Sequence, residues 1–250
     1  MTPPRVAASP VGSRPAAVGW ASNGHVTACT IRVGRIGMAD LADARGHLNE
    51  GERARAGRYR DVMARERFEL GASMVRRCVA RALGIPARDV VVDRTCDRCG
   101  EMHGRPKVAG SGLEISVSHS GDLVLVAVSD GSPIGVDVES IAARGRVDHT
   151  ELAMRVCDPI ERPHVGSLRD FLVYWTRKEA LLKASGEGLR VPPADVVVTP
   201  PDLPPAVLAW RGRPRPECQM VNVDLGPGYV ASLAVLTTRQ ITLTVLSDQV

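Results

Sequence analysis

Apolar positions along the chain change their period several times, and each change predicts an element. From Thr30 to Val33 apolar and polar side chains alternate as in a half-buried strand. The Arg/Ala-rich stretch from about Ala39 to Leu83 reads as helical, with Gly84 and Pro86 at the offsets of a stop. Short β-like runs follow at Val90–Val92, at Leu113, Ile115 and Val117 in period two, and at Leu123–Val128. Gly121 and Asp122 make a hairpin turn between the last two. After Asp130, Gly131 and Pro133 the order recurs: a strand at Ile134–Val138, helices between about Asp148 and Ala184, then strands near 195–199, 206–210, 218–224, 229–236 and 241–246. The Pro-rich stretch 192–205 reads as loops. This order predicts an α+β chain of two halves, each a small, mostly antiparallel sheet packed on helices, with no residue-level repeat between them. The expected divisions are a flexible tail over 1–20, a first half over 21–131 and a second over 132–250.

Composition narrows the class. The 250 residues are 44% hydrophobic and 24% charged, which excludes wholesale disorder. The longest apolar run, Leu123–Val128, falls far short of the ~20 residues of a membrane span, and the Pro-rich first 15 residues lack a secretory apolar region. A cytoplasmic protein with no membrane segment is expected. Net charge is a mild +4, and Lys107, Lys178 and Lys183 are the only lysines, so arginine carries the basic character. Six cysteines are spread too widely for a small disulfide framework.

Five features carry candidate chemistry. In Gly135-Val136-Asp137-Val138-Glu139 the strand alternation puts Asp137 and Glu139 on one face, either as a wet acidic edge or as oxygen ligands for a cation such as Mg²⁺. Ser167 to Asp170 reads as a capping box and Gly186 as a stop, framing a helix whose apolar stripe runs Leu168, Phe171, Leu172, Trp175 and Leu182. Glu179 lies on that stripe: it is either half of a Glu179–Lys183 helix pair or an inward carboxylate awaiting a cation. Ser116-Val117-Ser118-His119-Ser120-Gly121 gathers hydroxyls and an imidazole where a strand opens into a turn, as turn chemistry or as donors to an anion, and Gly104-Arg105-Pro106 adds a cation upstream. The basic run Arg53, Arg55, Arg58, Arg60, Arg65 and Arg67 is a solvated helix face or a nucleic-acid contact, the latter with few aromatics to stack on bases and no helix-turn-helix or finger pattern. Cys96, Cys99 and His103 offer three soft ligands where a structural zinc wants four, so they read as a loop with two thiols.

Taken in order, Gly104-Arg105-Pro106, Val117 to Gly121, Gly135 to Glu139 and Trp175-Thr176-Arg177-Lys178-Glu179-Ala180-Leu181-Leu182-Lys183 resemble the motifs of the 4′-phosphopantetheinyl transferases of the larger, surfactin-synthetase-activator type. The resemblance implies a monomer of two pseudo-symmetric halves with the active site between them. It implies transfer of the phosphopantetheine arm of coenzyme A to a serine of an apo acyl or peptidyl carrier protein, as in polyketide, nonribosomal-peptide and antibiotic assembly, with release of 3′,5′-ADP. By motif position Asp137, Glu139 and Glu179 would hold Mg²⁺, and Glu179 would also help deprotonate the carrier serine. Lys183 would meet the reacting phosphate, and Ser118, His119, Arg67, Arg105 and Arg55 would bind the coenzyme's other phosphates. Arg105 departs from the lysine found there in many relatives, which keeps the charge and alters its geometry. The Cys96/Cys99/His103 block lies outside the resemblance. Rival readings are an arginine-rich nucleic-acid-binding module and a metal-dependent nucleotide phosphohydrolase.

Overall fold

The computed structural model describes residues 5–8, 26–37, 41–102, 104–145 and 147–247. These fall into two units, one of residues up to Ser132 joined by the segment from Arg239 onward, the other Pro133–Thr238.

In the first unit the long helical stretch is three helices: α1 (Leu41–Gly46), α2 (Glu50–Ala56) and α3 (Val62–Leu83). The breaks are where capping chemistry beats propagation. Asn49 and Glu52 form a reciprocal capping box that starts α2, and Asp61 accepts from the Ala64 amide to start α3. Gly84 ends α3 in the left-handed conformation at φ 68°. A five-stranded sheet lies beside the helices, in the order β1 (Arg5–Ala8), β10 (Gln240–Ser247), β2 (Val26–Arg35), β4 (Leu123–Asp130), β3 (Leu113–Ser120). The β3–β4 hairpin turns at Gly121, φ 58°, as expected. Leu70, Met74 and Val79 of α3 pack on Ile115, Val124, Val126 and Val128, and each fully buried side chain of this size contributes roughly 1.5–3 kcal/mol.

Three expectations are corrected here. The last strand belongs to the first unit rather than to a half running 132–250: β10 pairs parallel with both β1 and β2, so that two of the four pairings in this sheet are parallel. Alternation shows that Ile241 and Leu243 are buried; it carries no information about which sheet receives them. Within the expected tail, Arg5–Ala8 forms β1, and the rest of 1–20 lies outside the described residues. Val90–Val92 is not a strand: Val90 and Val92 are buried and Val91 is 79% exposed, the period of a strand, yet among the described residues the pairing nearby is the isolated Asp93–Lys107 bridge.

The second unit comprises β5 (Ile134–Ser140), α4 (His149–Val156), α5 (Leu168–Ala184), β6 (Val196–Val198), β7 (Val207–Trp210), β8 (Gln219–Asn222) and β9 (Tyr229–Val235). An antiparallel sheet in the order β5-β9-β8 and a β6–β7 hairpin carry its core. Leu172, Leu181, Val196, Val198 and Ala234 are among the buried side chains that α5 joins. α5 crosses β5 at Gly135, where a Cβ would stand 2.0 Å from the carbonyl oxygen of Ala180. Hydrogen there is what lets strand and helix approach so closely. No helix among the described residues is long and apolar enough to cross a membrane.

Candidate active site

β5 and α5 deliver the second unit's charged cluster. Strand alternation sends Val136 and Val138 into the core and sets Asp137 and Glu139 together on the other face, where both are also buried. Each strand acid has a cation. Lys183 Nζ donates to Asp137 Oδ1 at 2.7 Å and to the Val136 carbonyl at 3.1 Å. Arg144 forms a two-pronged ion pair with Glu139, and the Trp175 indole N–H donates to Glu139 Oε1 at 3.0 Å.

Glu179 is placed differently from its expected position on the apolar stripe. The buried part of α5 carries Tyr174, Arg177, Lys178 and Leu181 together with Phe171, Leu172 and Leu182, while Glu179 and Trp175 lie on its half-buried flank. Two cations join Phe171, Leu172 and Leu182 of the expected stripe in the buried part of α5 because each is fully hydrogen-bonded. Arg177 donates to the carbonyls of Thr199, Pro200 and Leu203, and Lys178 to Glu161 and to the carbonyls of Val156 and Pro193. Lys183 is taken by Asp137 rather than closing a helix pair with Glu179. Glu179 Oε1 is buried with no hydrogen-bond partner. Burial, and then the charge of Asp137, push the Glu179 carboxyl above its ordinary pKa; Lys183 opposes them and Glu139 adds a smaller upward push. The three carboxylates therefore share one electrostatic field. They are not drawn into a ready coordination shell: among the described residues no group of three or more His, Cys, Asp or Glu side chains is arranged to hold a metal ion.

The remaining predicted residues gather in the first unit. Arg67 donates from Nη1 to the Gly121 carbonyl at 2.8 Å, which ties α3 to the β3–β4 turn beside His119. Arg105 donates to the Ile115 carbonyl at 3.1 Å and pairs with Glu114 at 2.7 Å, so it lies along the same strand as Ser118; burial lowers its pKa against the opposing charge of Glu114. Ser118 is buried and His119 exposed on β3. Arg55 is held apart from these, stacked 4.9 Å over Phe68 and bonded to the Met102 carbonyl. It lines a cleft of about 900 Å³ with Arg58, Tyr59, Phe68, Arg94 and Met102. Sequence reasoning missed Arg144, Arg94 and the polar role of Trp175. Arg144 follows Glu139 by five residues on a short 3₁₀ turn, a signal visible only once that turn is known. His103 lies outside the described residues.

A family model described as the 4′-phosphopantetheinyl transferase superfamily matches residues 133–234, the segment that holds Asp137, Glu139, Glu179 and Lys183. Over 173 residues the chain is 34% identical to the 4′-phosphopantetheinyl transferase HetI of Nostoc sp., covering 65% of this chain and 70% of that protein. The chain belongs to the 4′-phosphopantetheinyl transferase superfamily. It is also 25% identical over 145 residues to the 4′-phosphopantetheinyl transferase gsp of Aneurinibacillus migulanus, covering 54% of each chain. The 4′-phosphopantetheinyl transferase of Bacillus subtilis is 28% identical over 130 residues, 49% of this chain and 53% of that one. These last two matches thus span about half the length of the relatives concerned. The α+β architecture, with small sheets packed against helices, agrees with that membership. As a phosphopantetheinyl transferase the chain is an enzyme that moves a phosphopantetheine arm to a carrier protein.

Proposed function

We propose that the arm comes from coenzyme A, that the acceptor is a serine hydroxyl of an apo acyl or peptidyl carrier protein, and that 3′,5′-ADP leaves. The serine oxygen attacks the phosphorus that bears the pantetheine; the bond from that phosphorus to the bridging oxygen breaks, and the serine proton passes to Glu179. The supporting observation is the state of Glu179, whose buried, unbonded Oε1 and raised pKa suit a general base better than an ordinary exposed carboxylate would. Lys183, on the same flank of α5, is the cation for the reacting phosphate, and it is already held in place by Asp137. Arg67, Arg105, Arg55, Ser118 and His119 take the coenzyme's other phosphates, for which planar guanidinium groups and neutral donors are suited.

The donor set fits Mg²⁺, a hard cation that takes carboxylate oxygens, and the orphaned Glu179 oxygen is a position a cation would satisfy. Asp137, Glu139 and Glu179 would hold it, with Lys183 and Arg144 released from the two strand acids. Bound there, Mg²⁺ supplies neutralisation of the pyrophosphate and of the leaving diphosphate. The enzyme is further proposed to act as a cytoplasmic monomer on carriers of polyketide or nonribosomal-peptide assembly.

Incubation with coenzyme A, Mg²⁺ and an apo carrier domain tests the reading, with the carrier weighed by mass spectrometry. A gain of one phosphopantetheine unit on a serine is expected. Breakdown of coenzyme A without a carrier would replace the proposal with a phosphohydrolase, and nucleic-acid binding with steep salt dependence and no response to coenzyme A would replace it with a binding module.

A further inference from the structure

The loop Cys96-Asp97-Arg98-Cys99-Gly100 plays no part in the chemistry above. It is a built turn: the Gly100 amide donates to the Cys96 carbonyl at 2.9 Å, the Cys96 amide to the Glu101 carbonyl at 2.8 Å, and Gly100 sits at φ 75°. That turn holds Cys96 and Cys99 three residues apart on one tight bend, the Cys-x-x-Cys spacing that an intramolecular bridge can span. Cys96 is half-buried and Cys99 exposed, so a small molecule can reach the pair.

We propose that Cys96 and Cys99 are a reactive dithiol that closes reversibly into an intramolecular disulfide by exchange with a small-molecule disulfide such as oxidised glutathione. Cys96 as thiolate attacks one glutathione sulfur; that S–S bond breaks, and the departing glutathione takes up a proton equivalent to the one Cys96 lost. Cys99, losing its own proton, then displaces the second glutathione from Cys96. Two protein thiols are oxidised, and one disulfide is reduced to two thiols. The amides of Arg98 and then Cys99 lower the Cys96 pKa against the opposing Asp97 charge, which makes Cys96 the attacking sulfur. Closing so short a loop removes little chain entropy, so the bridge gains little from the fold and stays reversible. Three of the other four thiols are poor competitors: Cys29 and Cys157 are buried, and burial pushes the thiols of Cys29, Cys157 and Cys218 up to about 12, 11 and 12.

The full chain is equilibrated with graded ratios of oxidised to reduced glutathione, quenched by alkylation, and read by intact mass and peptide mapping. The expected product has lost two hydrogens, carries a Cys96–Cys99 bridge, keeps its other four cysteines alkylatable after unfolding, and reverts in reduced glutathione. Cys99→Ser should stop at a stable mixed disulfide on Cys96. An unbridged pair at the most oxidising ratio, a bridge elsewhere, or stoichiometric zinc shielding both thiols of the purified protein would each overturn the proposal.

Discussion

Gly135→Ala probes the contact that registers α5 against β5. The added Cβ would stand 2.0 Å from Ala180 O and 2.5 Å from Ala184 N, both backbone atoms of the helix. Unstrained carbon contacts lie near 3.5–4.0 Å, so the elements must separate by more than ~1 Å, and no flexible side chain is present to absorb the change. Overpacking costs about 1–3 kcal/mol where cores can adjust, and a backbone-to-backbone clash belongs at the upper end. At about 2–4 °C per kcal/mol for a chain of this size, the melting temperature should fall by roughly 6–12 °C. Activity should suffer separately. The 2.7 Å contact of Lys183 with Asp137 spans the same two elements, and a ~1 Å misplacement of reacting groups can cost on the order of 100-fold in rate. Calorimetry and the carrier mass assay read the two effects. Gly46→Ala, whose Cβ would meet nothing within 4 Å, is the control and should stay within about 0.5 kcal/mol of wild type. A Gly135→Ala protein that melts with the control and modifies carrier at the wild-type rate would refute the reasoning.

Glu179→Gln keeps the shape and removes the base, so transfer should fall by roughly 100-fold or more in single-turnover mass measurements, with the fold retained. Because the folded-state pKa of Glu179 is raised, the folded chain binds the proton more tightly than the unfolded chain. In metal-free buffer the Glu179 contribution to stability should therefore decline as pH climbs from its ordinary value of 4.5 toward the folded value, and denaturant titrations of Glu179→Gln should lack that decline. Lys178→Met strands the buried Glu161 carboxylate and should destabilise the second unit by about 3–5 kcal/mol, with Lys178→Met/Glu161→Gln recovering part of it; equal urea midpoints for the single and double variants would disprove the coupling. Asp137→Ala should raise the Mg²⁺ concentration needed for half-maximal transfer by 10-fold or more, and an unshifted metal titration would remove Asp137 from the ligand set.

Local signals made much of the fold legible. Alternating side chains marked β5 and β3, an apolar run marked β4, and Ser167 and Gly84 marked helix ends, because caps and periodicity act over a few residues. The pairing of Asp137 with Glu139 on one face needed only the two-residue repeat of a strand. Partner choice was not legible in this way. Whether Lys183 reaches Glu179 or Asp137, which cation meets Glu139, and which sheet takes Gln240–Ser247 depend on contacts between residues far apart in sequence. The apolar stripe of α5 was legible at Phe171, Leu172 and Leu182, but the burial of Arg177 and Lys178 was not, because they become buriable only when carbonyls of Thr199, Pro200 and Pro193 arrive to receive their protons. Sequence alone determined the residue types, their local geometry and their family. Tertiary structure decided which charges neutralise one another, since a buried charge is tolerable only beside a partner that the chain's long-range path supplies.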